Sequence, residues 1–274
     1  MTTKKVKTEA ELREYLTRKY WDCILIDGYI EVSEPIYIDR DVTVMGGTIK
    51  YIGSDPDLLQ SAAFVVREAT YVSFNSMVVL AAPVGLQSGI IINNPEAVVT
   101  IYDCLFAMFA YAGIWQFAST KVMVTNTTIY GTHLADKGYN YGIWQGGKSD
   151  IPEQRLYVTD CVFRGSRHAI GASYHPNSYY VTGCKVSTLK HSFDRHNWNG
   201  GGNKGGLHTV ISGNTFTDPD RLAFSLEKPY EGGSIVFSGN KLNHSKDRHI
   251  GEIADEKVWQ SVNHGWFGGN QFNM

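Results

Sequence analysis

A short β-rich pattern recurs along this chain, and its spacing constrains the fold more than any other feature. Each copy has strand residues, a small or polar pair, an Asn, Cys or Thr, and then more strand residues, as in VTDCVF and ISGNTF. The residues at the Asn, Cys or Thr position are Asn75, Cys104, Thr127, Cys161, Cys184, Asn214, Asn240 and Asn270. Successive positions lie 23–34 residues apart. Repeats of this length are typical of a solenoid with stacked coils. We therefore predict one all-β domain over residues 1–274, with these residues at equivalent positions on successive coils.

A second segment follows most of these positions by 9 or 10 residues, except at one loop, and predicts which side chains face inward. It reads GIW, GIW, AIG, SFD, AFS and HIG along the chain. The middle residues are Ile114, Ile143, Ile170, Phe193, Phe224 and Ile250. Because strand side chains alternate between two faces, we expect these six to form one inward stack and their neighbours to point outward.

The beginning of the chain predicts a helix that caps the first coil. Residues 9–19 have helical periodicity with Leu12, Tyr15 and Leu16 on one face, so we place a short helix at about 8–20. With this cap and the stacked coils, the chain resembles the pectate-lyase-like superfamily. That resemblance implies a right-handed parallel β-helix. A β-sandwich or propeller fits less well, since the coil length varies while the ladder of Asn, Cys and Thr persists.

Composition narrows the partners and cofactors. The net charge of −2 gives no overall field for nucleic acid, and no apolar run is long enough for membrane insertion. Met1–Lys7 is polar and basic, so we expect no signal peptide and synthesis in the cytoplasm. The four cysteines form no CxxC pair, and neither a phosphate-binding motif nor an Asp-rich calcium loop is present. We predict buried reduced thiols, no metal and no cofactor.

Ionisable residues concentrate on the coils between about Arg167 and Glu252. Alignment on the inward stack brings together groups that are distant in sequence, on coils about 4.8 Å apart. The catalytic candidates are Arg167, His168, Asp194, His196 and Glu227, and the binding candidates beside them are Lys190, His191, Arg195 and Lys228. Alternation predicts Asp194 and His196 outward, with Glu227 beside His196. The alternative is that such charges are solvated surface groups and that His168 and His191 are core residues.

A more specific resemblance rests on two short motifs. The pair Arg167-His168, followed one coil later by Phe193-Asp194-x-His196, resembles a pattern in β-helix proteins of phage tails. The chain departs from that pattern at Asn197, where those proteins have Gly. The resemblance implies a functional set of Arg167, His168, Asp194 and His196, and it also implies a homotrimer.

Aromatic residues predict a surface for sugar rings. Trp115 and Trp144 should point outward in the same ladder that holds Gly171 and Asp194, and Trp198 follows the FDRH segment. Exposed indole faces on a rigid sheet would provide a platform for a glycan. The alternative is that loops cover both Trp115 and Trp144.

These observations favour a carbohydrate-active protein. We predict that it binds and cleaves a polysaccharide or cell-surface glycan, with an acidic sugar favoured by the basic residues, and that it belongs to a virion or is released from the cell. Two mechanisms are open. In hydrolysis, one of Asp194 and Glu227 protonates the leaving oxygen while the other activates water. In β-elimination, Arg167 neutralises a uronate carboxylate and His196 removes the C5 proton. The alternative function is a non-catalytic glycan-binding or structural tail protein, in which Trp266 and Phe267 could meet a partner.

Overall fold

The computed structural model describes residues 2–53, 55–82, 85–131, 139–147, 153–173, 177–196, 206–217, 221–227, 233–243, 250–253, 256–258 and 271–272. These residues form three long sheets of ten strands each, and the coils between the two ends contribute one strand to each sheet. All strand pairs are parallel except the one between Gly251–Ile253 and Glu256–Val258. The fold is a right-handed parallel β-helix, as predicted.

The strands of the three sheets follow one another around each coil. The first sheet contains Thr3–Val6, Cys23–Ile26, Val42–Met45, Tyr71–Asn75, Val98–Tyr102, Lys121–Thr125, Gln154–Thr159, Asn177–Thr182, His208–Ser212 and Ser234–Ser238. The second contains Ile36–Ile38, Ala62–Val66, Ser88–Asn93, Ala112–Ala118, Tyr141–Gln145, His168–Ser173, Phe193–His196, Phe224–Leu226, Gly251–Ile253 and Glu256–Val258. The third contains Tyr29–Val32, Thr48–Tyr51, Val78–Ala81, Leu105–Ala107, Thr128–Tyr130, Val162–Ser166, Lys185–Thr188, Thr215–Phe216, Lys241–Leu242 and Gln271–Phe272.

The predicted inward stack lies on the second sheet. Ile114, Ile143, Ile170, Phe193 and Phe224 pair in register on successive coils, and all five are fully buried. The sixth prediction is wrong by one residue, because Gly251 rather than Ile250 pairs with Phe224. Ile250 is still buried in the core. A small residue is needed at position 251, since an added Cβ would lie 2.4 Å from the Phe224 ring.

The ladder of Asn, Cys and Thr marks a turn between the first and third sheets. Thr128 donates its backbone N–H to Cys104, Val162 to Thr127 and Lys185 to Cys161, and the same relation continues through Cys184 and Asn214. Asn75 does not belong to the ladder: it pairs with Tyr102, and Met77 occupies the position equivalent to Cys104. Asn270 lies outside the described residues.

A backbone feature common to these turns precedes every ladder residue. The residues just before the ladder all have positive φ angles of 49–68°: Ser76, Asp103, Asn126, Asp160, Gly183, Gly213 and Gly239. Gly, Asn and Asp tolerate this left-handed conformation best, which explains the composition of the repeat. The ladder residues then bond from coil to coil: Cys184 donates its N–H to Asn214 Oδ1, and Asn214 to Asn240 Oδ1, both at 2.9 Å.

The N-terminal helix is present but shorter than predicted, spanning Glu9–Thr17. Thr8 begins it, since the Thr8 side chain accepts a hydrogen bond from the backbone of Glu11. Leu12 and Leu16 are buried against the first coil, and Tyr15 packs beside them. The helix therefore covers apolar side chains at the end of the stack. Among the described residues, no helix is long and apolar enough to span a membrane.

Candidate functional site

One column of outward side chains runs along the second sheet and changes character midway. Its members, paired from coil to coil, are Tyr37, Val65, Ile91, Trp115, Trp144, Gly171, Asp194, Ser225 and Glu252. The prediction that Trp115, Trp144, Gly171 and Asp194 share one ladder is confirmed. The column is apolar at first and polar from Asp194 onward, so aromatic and ionisable groups adjoin on one face.

The aromatic part of this face is a pocket rather than an open platform. Trp115 and Trp144 are each only 6% exposed, which corrects the prediction of exposed indole faces. The pocket has a volume of about 260 Å³. Its lining residues are Leu58, Tyr111, Trp115, Tyr139, Trp144, Gly146 and Gly147. A concave apolar site of this kind binds a ligand ring more selectively than a flat surface does.

The polar part is a cluster of two histidines and one carboxylate from neighbouring coils, which we call the His–Asp cluster: His168, His191 and Asp194. The Nε2 atom of His191 lies 3.1 Å from Asp194 Oδ1, and the Nε2 atom of His168 lies 3.5 Å from Asp194 Oδ2. The two imidazole rings are 4.4 Å apart. The sheet register produces this arrangement, because the coil that carries Phe193 stacks directly on the coil that carries Ile170.

Burial within the cluster is uneven. The side chains of His168 and Asp194 are completely buried, whereas that of His191 is 23% exposed. This corrects the prediction that Asp194 lies on the outer surface: it points away from the core, but neighbouring groups cover it. A soluble ligand can therefore contact His191, while Asp194 acts through the groups around it.

The tautomer of His168 follows from its hydrogen bond. Its Nδ1 atom lies 2.7 Å from the backbone carbonyl of His191, and a carbonyl only accepts, so Nδ1 carries the proton. Burial lowers the pKa of His168 to about 3, and this effect outweighs the opposing attraction of Asp194. The ring is thus neutral near pH 7, and its Nε2 lone pair faces the carboxylate.

Tyr141 connects the pocket to the His–Asp cluster, a role that the sequence reasoning did not assign. Its ring lies 4.4 Å from Trp144 and stacks 5.5 Å from His168. Its hydroxyl accepts a long, 3.4 Å hydrogen bond from Arg167, and burial raises the pKa of Tyr141 to about 12. The signal was available, since Tyr141-Gly142-Ile143 aligns with His168-Ala169-Ile170.

The basic residues have different environments. Arg167 is half-buried and Lys190 is exposed, and the Lys190 backbone N–H donates to the Arg167 carbonyl on the adjacent coil. Arg195 was predicted to bind substrate, but it is only 2% exposed and lies inside the solenoid with its guanidinium 4.5 Å from the Tyr179 ring centroid. It stabilises the core through a cation–π contact instead.

Of the remaining predicted residues, the structure describes Glu227 and the backbone of His196. Glu227 is half-buried, and its backbone N–H donates to the Arg195 carbonyl. The pairing of Arg195 with Leu226 places Glu227 opposite His196 along the strands, as expected. The side chain of His196, and Lys228 and Trp198 altogether, lie outside the described residues.

The His–Asp cluster also offers ligands for a metal ion, although the sequence analysis predicted none. One ligand atom from each of His168, His191 and Asp194 lies within 4.8 Å of the others. The three residues are separated in sequence and lack a familiar spacing motif, so the coil stacking is what reveals them together.

Comparisons with known proteins establish the fold. No family model matches the chain, and no curated protein matches it. The chain is similar to the crystal structure of jun a 1, the major allergen from cedar pollen, with a TM-score of 0.56 and 12% identity over 99% of this chain and 76% of that one. A pectin methylesterase from Aspergillus niger matches with a TM-score of 0.44 and 14% identity over 95% of this chain and 85% of that one. The similarity to jun a 1 supports the parallel β-helix that the strand pairing shows, which is also the fold implied by the resemblance to pectate-lyase-like proteins.

Proposed function

We propose that this protein is a carbohydrate-active β-helix that binds and cleaves a polysaccharide along the outward face of its second sheet. One observation carries the proposal: the aromatic pocket and the His–Asp cluster are continuous, because Tyr141 contacts Trp144 on one side and His168 on the other. Sugar rings favour aromatic walls, and a bond held beside the pocket would lie next to ionisable groups. Polysaccharide chains also suit a long, straight sheet face.

An acidic sugar is the substrate class that the charges favour. Arg167 lies at the junction between pocket and cluster, where it donates to the Tyr141 hydroxyl. Lys190 is exposed on the next coil. Two cations beside an apolar pocket can bind a uronate carboxylate while the ring packs against aromatic side chains.

The burial of Asp194 favours β-elimination over hydrolysis. An inverting hydrolase needs both carboxyl groups at the sugar, and Asp194 has no exposed surface for that contact. In elimination, Arg167 neutralises the uronate carboxylate and His196 accepts the C5 proton, while the partly exposed His191 contacts the same sugar. The C4–O bond then breaks, a C4–C5 double bond forms, and the leaving oxygen takes a proton from water.

The phage-tail association, with a virion-bound homotrimer, belongs to the same proposal and is supported by the Arg167-His168 and Phe193-Asp194-x-His196 motifs. Sedimentation equilibrium tests the trimer directly, and a mass equal to one chain would contradict it.

Glycan binding without cleavage is the second candidate function. It is favoured by the complete burial of His168 and Asp194, which leaves His191 as the accessible member of the cluster.

The decisive experiment is incubation of the full chain with a panel of neutral and acidic polysaccharides. New reducing ends indicate cleavage, and ultraviolet absorbance of an unsaturated product separates elimination from hydrolysis. The matched pair of variants is His191→Ala in the cluster and His208→Gln, whose side chain bonds Ser234 on the first sheet. We expect activity on an acidic polymer that His191→Ala loses and His208→Gln keeps. Binding without any product would establish the second candidate, and neither binding nor product would reject both.

A further inference from the structure

The hydrogen bond of the buried His168 ring leaves its second nitrogen, Nε2, without a donor among the described residues. Nδ1 holds the ring proton for the His191 carbonyl, so Nε2 is an acceptor. Among the described residues, Nε2 has no hydrogen-bond donor, and it lies 3.5 Å from an oxygen of Asp194. Two acceptors facing each other without water cost free energy unless a cation or a proton lies between them.

The distances suit a single small cation. Zinc bonds to His nitrogen and carboxylate oxygen at about 2.0–2.2 Å, so neighbouring ligand atoms around a tetrahedral ion lie about 3.4 Å apart. The two His–Asp separations, 3.1 Å and 3.5 Å, bracket that value. All three ligand atoms fall within 4.8 Å of one another, so the three side chains lie close enough together to share one ion.

We propose that the His–Asp cluster binds a divalent transition-metal ion of the zinc class through His168 Nε2, His191 Nε2 and a carboxylate oxygen of Asp194. Two imidazoles and one carboxylate are a donor set that such ions prefer, whereas calcium takes six or more oxygen ligands. The hydrogen bond from His168 Nδ1–H to the His191 carbonyl fixes the ring, as outer partners of metal-binding histidines do.

The partial exposure of His191 gives this ion an open side. Three protein ligands with a fourth position for water or substrate describe catalytic zinc sites, while structural sites have four protein ligands. The ion would lie next to Tyr141 and the aromatic pocket, where it could contact an oxygen of a bound ligand. The inference does not depend on the proposed polysaccharide cleavage, because it rests on ligand geometry alone.

The test measures metal binding without any glycan. The full chain is treated with a chelator, dialysed, and titrated calorimetrically with zinc chloride, with calcium chloride as a comparison. Cobalt(II) is added to a second sample, because tetrahedral cobalt with nitrogen ligands absorbs visible light strongly. We expect one zinc per chain, no calcium binding, and a tetrahedral cobalt spectrum.

Three variants assign the site. His191→Ala and His168→Gln should each weaken zinc binding by at least about 100-fold, since loss of a direct ligand exceeds the 10–100-fold effect of losing an outer partner. His208→Gln should bind as the parent does. His191→Ala is the safest variant for folding because its side chain is partly exposed, and its melting curve checks this. Absence of zinc binding by the parent, or parent-like binding by His191→Ala, would overturn the proposal.

Discussion

Two stacks of buried polar side chains occur in the same solenoid, and they are satisfied very differently. In the ladder, Asn214 donates from Nδ2 to the Val181, Ser212 and Asn240 oxygens, while its Oδ1 accepts from the Cys184 backbone. In the His–Asp cluster, the His168 Nε2 atom faces a carboxylate without a donor among the described residues. Both sets join neighbouring coils, so stacking alone does not explain the difference.

We interpret this difference as one between a structural role for the ladder and the functional role proposed for the His–Asp cluster. Buried polar groups in native proteins nearly all have hydrogen-bond partners, and exceptions concentrate where a site must later meet a ligand. The side chains of the ladder form hydrogen bonds that join its coils to one another. The His–Asp cluster keeps an unused lone pair, which a structural stack would not retain. Substitutions in the two stacks should therefore affect different properties.

The largest expected effect is on the cluster side. His191→Ala should reduce turnover of a cleaved polysaccharide by about 10²–10⁴-fold, the usual contribution of a positioned catalytic group. Its melting temperature should stay close to that of the parent, because the side chain is partly exposed. Initial rates and a calorimetric melting scan measure the two quantities. Loss of stability without loss of turnover would make the cluster a second structural stack.

The next effect is on the ladder side. Asn214→Ala should lower the free energy of unfolding by about 2–4 kcal/mol, since two or more buried backbone groups lose their partners at about 1–3 kcal/mol each. The control is Asn243→Ala, because Asn243 makes one exposed bond to Thr217 and should cost under about 0.5 kcal/mol. Urea denaturation measures both. Equal costs for the two variants would contradict the structural role of the ladder.

A smaller effect concerns the charge beside the cluster. Arg167→Ala should weaken binding of an acidic polysaccharide by about two- to fivefold, as expected for one half-exposed ion pair. Raised salt should weaken binding to the parent similarly, because exposed charges are screened. Binding to a neutral polymer should stay unchanged, and a loss there would show that Arg167 supports the pocket rather than the charge.

The smallest effect tests whether the residue types found in the ladder can replace one another. Cys184 accepts a bond from the Cys161 N–H through its sulfur. An Asn at this position offers an oxygen in the same place, as Asn214 does one coil later. Cys184→Asn should therefore change the free energy of unfolding by less than about 1.5 kcal/mol. Urea denaturation checks it, and a cost like that of Asn214→Ala would mean that the positions are not equivalent.

The sequence predicted most of the fold because each coil repeats the same local physics. Strand alternation identified Ile114, Ile143 and Ile170 as one stack, and turn residues identified the ladder. The ladder assignment failed at Asn75 because Asn was taken as the marker. The left-handed residue just before the ladder is the better guide, since Ser76-Met77 then aligns with Asp103-Cys104.

The site was predicted less completely, since alternation gives direction and not burial. Asp194 does point away from the core, but neighbouring groups cover it fully. Trp115 and Trp144 are also covered. These covering contacts join segments far apart in sequence, so no local pattern encodes them. The alignment of His168 with His191 depended on the number of residues in the coil between them. The metal-binding geometry depended on side-chain rotamers, which the sequence does not give.

The stacking of whole coils also affects how this protein can evolve. The aromatic pocket and the His–Asp cluster lie on successive coils of one sheet, and Tyr141 joins them. Each coil contacts mainly its two neighbours, so duplication or loss of one coil leaves the remaining stack able to fold. An added coil at Tyr141 would move the pocket away from the cluster by one strand spacing, about 4.8 Å. Addition or loss of coils would thus change the length of ligand that fits in discrete steps, while the ionisable groups of the His–Asp cluster stay the same.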